Sequence, residues 1–305
     1  MTEAPLSLAY SPCPNDTFVF AAWTNGLLPG APPVRVALDD VEALNAAARR
    51  GEHALTKVSY GAIPYLTEGY RILRAGGALG RGCGPLLIAK PGPGGRAPAL
   101  DALKPHARIA IPGELTTAYL LLRLAFQRPI DAVVMRFDTI VDAVARGEVD
   151  AGLIIHESRF TYRDAGLEQI VDLGEWWEGE TGRAIPLGAI LVRRDVDDAT
   201  ATRIDATIRR SLAFAYAHGE AVAPYVREHA FEMDEAVMRK HIGLYVNDYT
   251  DDVGSEGVAA VEALFEFATA ARLIPAAAKP EFVGPALPAA AALSGDPGAS
   301  ARRNA

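Results

Sequence analysis

Cysteine is almost missing from this 305-residue chain, which has only Cys13 and Cys83. They are single and far apart, so a zinc knuckle and a redox CxxC motif are excluded. Both are expected to stay reduced thiols. Long apolar runs are missing too, and no stretch reaches the length of a membrane span. The start, Met1-Thr-Glu-Ala-Pro5, has no basic residue followed by an apolar segment, as a secretion signal would. A cytoplasmic protein is therefore expected. Basic stripes are also lacking: the formal net charge is −8, which argues against nucleic acid as a partner. There is no Walker loop and no nucleophile motif. Gly80-Arg-Gly-Cys-Gly84 imitates a dinucleotide loop, yet it precedes a strand rather than a helix. Asp39-Asp40 has no further ligand spaced to join it, so no metal and no cofactor are expected.

Half of the residues are hydrophobic and 22% are charged, a globular composition with ample core. The length suits two domains or one large one. Strands are expected at Leu6–Tyr10, Val34–Leu38, Ala54–Val58, Pro85–Ala89, Arg108–Ile111, Ala132–Met135, Ala151–Ile155 and Ala189–Val192. Helical patterns separate many of them, so the fold class is α/β with mainly parallel sheets. Asp40 is placed to cap a helix closed at Gly51, and Asp138 one closed at Gly147. These two units echo each other: strand, acidic cap, helix, Arg-Gly-Glu, strand. Aligning Arg50-Gly-Glu52 with Arg146-Gly-Glu148 brings Ser59 within one position of His156. After Val192 the pattern is helical, with Gly219 as a stop. Residues 1–84 plus 190–275 are read as a first lobe and 85–189 as a second. Residues 276–305, rich in Ala and Pro, are read as a disordered tail. Open parallel sheets take ligands beyond the carboxyl ends of their strands, so the cleft would lie between the lobes. The chain would cross between them near Gly80–Gly84 and Pro186–Ala189, where glycine would let an open resting state close.

Ser11-Pro-Cys-Pro-Asn-Asp-Thr-Phe18 joins the first strand to the first helix. Its prolines stiffen the turn, and Asn15 or Asp16 would cap the helix. A helix start at a crevice presents free amides and a positive dipole end to an anion.

This octet resembles the signature of the 1,4-dihydroxy-6-naphthoate synthases of the futalosine route to menaquinone. Further segments resemble that family in the same order: Thr56-Lys-Val-Ser59, Leu115-Thr-Thr-Ala118, Ile154-Ile-His-Glu157 with Arg159-Phe-Thr-Tyr162, and Trp176-Trp177 with Ile185-Pro-Leu-Gly188. The similarity covers residues 6 to 275. It implies a two-lobed, type II periplasmic-binding-protein-like fold and a cofactor-free lyase. The implied reaction converts cyclic dehypoxanthine futalosine to 1,4-dihydroxy-6-naphthoate, releasing a three-carbon sugar fragment, dihydroxyacetone. It also implies His156 as proton acceptor, and Lys57, Val58, Ser59, Thr116 and Thr117 as substrate contacts.

The residues themselves allow plainer readings. His156 ends an apolar strand, and a histidine titrates near neutrality, as a general base should. Glu157 and Asp164 are near enough in sequence to orient it. His218, His229 and His241 lie on charged helical patterns and are expected to be solvated. Lys57 alone would be a snorkelling strand-end lysine. Thr116 and Thr117 open a helix, where they would cap it, grip a substrate carboxylate, or both. Asn15 and Asp16 are further cleft candidates. The expected partner is a small carboxylate-bearing substrate, with no nucleic acid or membrane. The alternatives are a chorismate dehydratase of the same pathway and a non-catalytic solute-binding protein. Oligomeric state is not legible.

Overall fold

The computed structural model describes residues 4–92, 94–104, 106–231, 234–275 and 279–285. The chain first lays down β1 (Leu6–Tyr10), α1 (Pro14–Thr24), β2 (Val34–Leu38), α2 (Val41–Arg49), β3 (Leu55–Ser59), β4 (Tyr70–Ile72) and β5 (Ala78–Gly80). It then builds β6 (Leu86–Ala89), β7 (Arg108–Ile111), α3 (Thr117–Phe126), β8 (Asp131–Val134), α4 (Ile140–Arg146), β9 (Ala151–Ile154), α5 (Ser158–Thr161), β10 (Glu168–Asp172) and α6 (Leu173–Thr181). It returns through β11 (Ile185–Arg193) and ends in α7 (Asp198–Ala217), α8 (Gly219–His229), α9 (Glu235–Tyr245), α10 (Asp248–Asp251) and α11 (Gly254–Ala270).

Two sheets result. The first runs β2-β1-β3-β11-β4, with β5 also on β11; the second runs β10-β6-β9-β7-β8. Each has a parallel centre from its strand–helix–strand units, β2-β1-β3 and β9-β7-β8. Strands are antiparallel where the chain arrives or leaves, as β11 does on β3 and β6 on β9. The parallel pairs place the ends of β1 and β3 at one edge, facing the ends of β7 and β9 from the other sheet.

Burial explains this arrangement. Helix α1 is buried from Pro14 to Trp23 because α7, α8 and α9 pack against it and Phe20 meets Tyr10 of β1. One apolar cluster runs from Val58 and Tyr60 through Leu121 and Leu122 to Trp177 and Leu264, so it crosses from one sheet to the other.

Several expectations are corrected. The strand expected at Ala189 starts at Ile185, and residues 185–188 pair with β3 and β5 in the first sheet. The second crossing therefore falls at residues 182–184, not at Pro186–Ala189. The first crossing is packed rather than loose. A Cβ on Gly84 would lie 2.2 Å from the Gly174 nitrogen, so two backbones touch there. Asp138 does not cap a helix; it pairs with Arg136, residues 137–139 form a 3₁₀ turn, and α4 starts later, at Ile140. Gly219 opens α8 rather than stopping α7. Part of the expected tail is ordered: Ile72 bonds Glu281 and Val283 through its backbone, and Val283 is buried. The apolar pair Phe282-Val283 finds the edge of β4, which composition averaged over Ala and Pro conceals. Residues 276–278 and 286–305 lie outside the described residues.

Candidate active site

The octet turns as expected but caps differently. The N-cap is Cys13, with Pro14 at the first helical position, where its missing amide costs nothing. Asn15 and Asp16 therefore sit inside the first turn, not at the cap. Asp16 becomes a hub: Ser11 Oγ donates to its Oδ2 at 2.7 Å, and Asn15 Nδ2 to its Oδ1 at 2.9 Å. Lys57 Nζ, from the middle of β3, donates to the same Oδ1 at 2.6 Å and to the Gly76 carbonyl at 3.3 Å. The Lys57 and Asp16 side chains are only 7% and 3% exposed. Lys57 is thus no snorkelling surface lysine but half of a buried ion pair, whose loss of one partner would strand a charge.

Beside it, Asn45 of α2 holds Ser59 twice. Its Oδ1 accepts from the Ser59 amide at 2.9 Å, and its Nδ2 donates to Ser59 Oγ at 3.2 Å. The same amide donates to Glu42 at 3.0 Å, and Glu42 accepts the Leu115 amide of the facing sheet at 3.2 Å.

Thr116 caps α3, its hydroxyl donating to the Gly113 carbonyl and accepting from the Tyr119 amide. The Thr117 hydroxyl accepts from the Gly61 amide at 3.0 Å and donates to the Leu187 carbonyl at 2.8 Å. Both hydroxyls are engaged within the protein, which removes them as the expected carboxylate grip. The cap satisfies the Tyr119 amide, and the Thr117 and Ala118 amides of this first turn have no intrahelical acceptor. Together the Glu42 and Thr117 bonds tie elements of the two sheets to each other.

His156 lies two residues beyond β9 with φ 56°, a left-handed backbone that a non-glycine residue adopts rarely. Such conformations persist where surrounding contacts over-determine them, and they cluster at functional sites. Its ring meets Phe137 at 5.0 Å and stacks on His241 at 6.0 Å with an 11° tilt. Burial pushes the His156 imidazole down to about 4, opposed by the Asp16 carboxylate and assisted by Lys57. At neutral pH the ring is uncharged and keeps a lone pair.

One pocket of about 650 Å³ of empty space gathers the residues singled out from the sequence. Asn15, Asp16, Lys57, Val58, Ser59, Thr116, Thr117 and His156 all border it. Cys13, His156 and Glu157 also bring ligand atoms within 4.8 Å of one another. Burial and the neighbouring Glu157 push the Cys13 thiol well up, so it stays protonated and is a poor metal ligand.

His241 was expected to be solvated, and the structure buries it completely. Its Nε2 meets Asn15 Oδ1 at 2.9 Å, and its Nδ1 lies 3.8 Å from Glu157 Oε2. Burial lowers its pKa well below the ordinary histidine value. The signal was present in spacing: Met238, His241 and Tyr245 are the buried stripe of α9. Asn45 was also missed, because its bonds to Ser59 reach across 14 residues and leave no local pattern.

A family model described as menaquinone biosynthesis matches residues 6–270. A Streptomyces coelicolor 1,4-dihydroxy-6-naphthoate synthase is 47% identical over 281 residues, covering 90% of this chain and 97% of the relative. The Thermus thermophilus enzyme of the same name is 48% identical over 278 residues, covering 91% and 99%. Among solved structures, an Archaeoglobus fulgidus protein superposes with a TM-score of 0.82 at 35% identity, covering 88% of this chain and 98% of its own. An alkanesulfonate-binding protein from Xanthomonas axonopodis pv. citri shares the fold, with a TM-score of 0.66 at 16% identity over 90% and 96%. No described helix is long and apolar enough to cross a membrane. The chain belongs to the menaquinone-biosynthesis family, and within it to the 1,4-dihydroxy-6-naphthoate synthases.

Proposed function

We propose that the pocket takes cyclic dehypoxanthine futalosine and cleaves it to 1,4-dihydroxy-6-naphthoate and dihydroxyacetone, in the cytoplasm, with His156 as the base. The observation that carries this reading is an uncharged imidazole, on a strained turn, bordering the same pocket as the start of α3. The substrate carboxylate would lie against the Thr117 and Ala118 amides, favoured by the dipole of α3. His156 accepts the proton of a sugar hydroxyl. As the carbonyl forms, the carbon–carbon bond breaks and its electrons pass into the bicycle, which becomes aromatic. The electron pair is left on the bicycle, so the proton on His156 returns there while the three-carbon fragment leaves as a neutral carbonyl compound. A bound carboxylate raises the basicity of the imidazole, since an opposite charge nearby favours its protonated form. The bond network that ties the two sheets together keeps water from the ring-opened intermediate.

Incubating the purified protein with cyclic dehypoxanthine futalosine and, separately, with chorismate tests this by mass spectrometry. Naphthoate and dihydroxyacetone from the first, with chorismate untouched, is the expected result. Turnover of chorismate alone would establish the dehydratase, and binding without turnover the solute-binding reading. The grip has its own test: the methyl ester of the substrate should show a clearly raised KM, and equal handling of acid and ester removes it.

A further inference from the structure

We infer that His241 is a positioning residue for the His156 base, acting through Glu157, the residue that follows His156 on the strained turn. This rests on His156 being the base. The chain of contacts fixes the protons. Asn15 Nδ2 donates to Asp16 Oδ1, so Asn15 Oδ1 faces His241, and His241 Nε2 must carry a hydrogen to meet it at 2.9 Å. In the uncharged ring Nδ1 then has a lone pair, which faces the Glu157 carboxyl at 3.8 Å. Two acceptors facing each other in a buried site repel unless a proton lies between them. A proton on either group removes that repulsion and leaves the two within electrostatic reach of each other at 3.8 Å.

Three features make this a device for placing His156. The left-handed turn at His156 needs outside contacts to hold it. Glu157 is buried and belongs to the element after β9, whereas His241 belongs to α9, which packs on α1 of the other half. The pair therefore ties the turn to the octet, and through Asn15 and Asp16 to Lys57. His241 also lies behind the His156 ring as a near-parallel plate at 6.0 Å, limiting its tilt. The groups around His241 are His156 and Glu157 from the turn, Asn15 from the octet, Lys57 from β3, and Tyr245 from its own helix.

Misplacing a catalytic group by about 1 Å costs about 10²-fold in rate, so His241→Gln is expected to lower kcat on cyclic dehypoxanthine futalosine by about that factor. KM should change by less than about threefold, because the α3 amides are untouched. Glu157→Ala should lose as much, and Glu157→Gln, which offers an N–H to His241 Nδ1, should recover kcat to within about fivefold of wild type. The double variant His241→Gln/Glu157→Ala should be no worse than either single one, since both cut the same link. A His241→Gln enzyme within about threefold of wild-type kcat, or losses that multiply in the double variant, overturns the inference. If His241→Gln does not fold, the two Glu157 variants decide: equal losses in Ala and Gln overturn it. His156→Ala, measured alongside, separates the two readings. An inactive His156→Ala beside an intact His241→Gln removes only the positioning role. An active His156→Ala removes the base reading and the positioning role together.

Discussion

The two Arg-Gly-Glu units began as a resemblance within the sequence and end as a contrast in how active residues are held. In both, the glycine closes a helix with a positive φ, 69° at Gly51 and 77° at Gly147, and the flanking Arg and Glu pair at the surface. In both, the next strand delivers a residue to the pocket, Ser59 in one and His156 in the other. The first unit holds its residue from within: Asp40 caps α2 through the Glu42 and Ala43 amides, and Asn45 on that helix fixes Ser59. The second leaves Asp138 off the helix and sets the tilted ring of Phe137 against His156. His156 takes a strained backbone and is steadied by α9, from far along the chain. A contact residue is served well by local rigidity. A base needs an uncharged ring and a fixed direction, which burial and distant partners supply.

His156→Ala breaks the contrast most severely. A general base contributes about 10²–10⁴-fold, so kcat should fall in that range while thermal melting changes little. Ser59→Ala, its counterpart, should cost no more than about tenfold in kcat/KM, the loss of one neutral hydrogen bond. Comparable losses in the two would erase the distinction. The acid limb of kcat/KM for the wild type should lie near 4 rather than near the ordinary histidine value, because the free imidazole titrates there. A limb near neutrality in a pH–rate profile would show a solvated ring.

Removing the support of the first unit should cost stability instead. Asn45→Ala leaves the buried Ser59 amide without a partner, a loss of about 1–3 kcal/mol in denaturant unfolding. Acid should weaken the fold as well. His156 has a folded pKa depressed to about 4 from 6.5. The unfolded chain then binds more protons than the folded one, so stability is full above about pH 6.5 and falls as pH drops toward 4. Denaturation midpoints that stay level between those values would contradict this. Smallest is the cap comparison: Asp40→Ala should cost about 1 kcal/mol, and Asp138→Ala, losing only an exposed ion pair, less than about half of that.

The octet's turn, the Thr-Thr helix start and the strand-end histidine were legible as local structure, while their roles in a site came from the family resemblance. Proline fixes a turn, a threonine before an apolar run caps a helix, and an apolar strand ends at a polar residue. Strand edges were read less well. β4 and β5 are three residues each, too short for a period to register. Residues 185–188 read as a crossing because proline and glycine suggest a break, yet their neighbours on β3 and β5 keep them extended.

Sequence by itself determined the alternation of strands and helices, the paired helix stops and the chemistry available at the pocket. These follow from periodicities and backbone preferences acting over a few residues. Tertiary structure alone decided that Lys57 is paired with Asp16, that the threonine hydroxyls are already engaged and that His241 is buried behind His156. Each depends on residues tens to hundreds of positions apart meeting in a site with little water. There burial decides which groups carry charge, and distance along the chain carries no information about it.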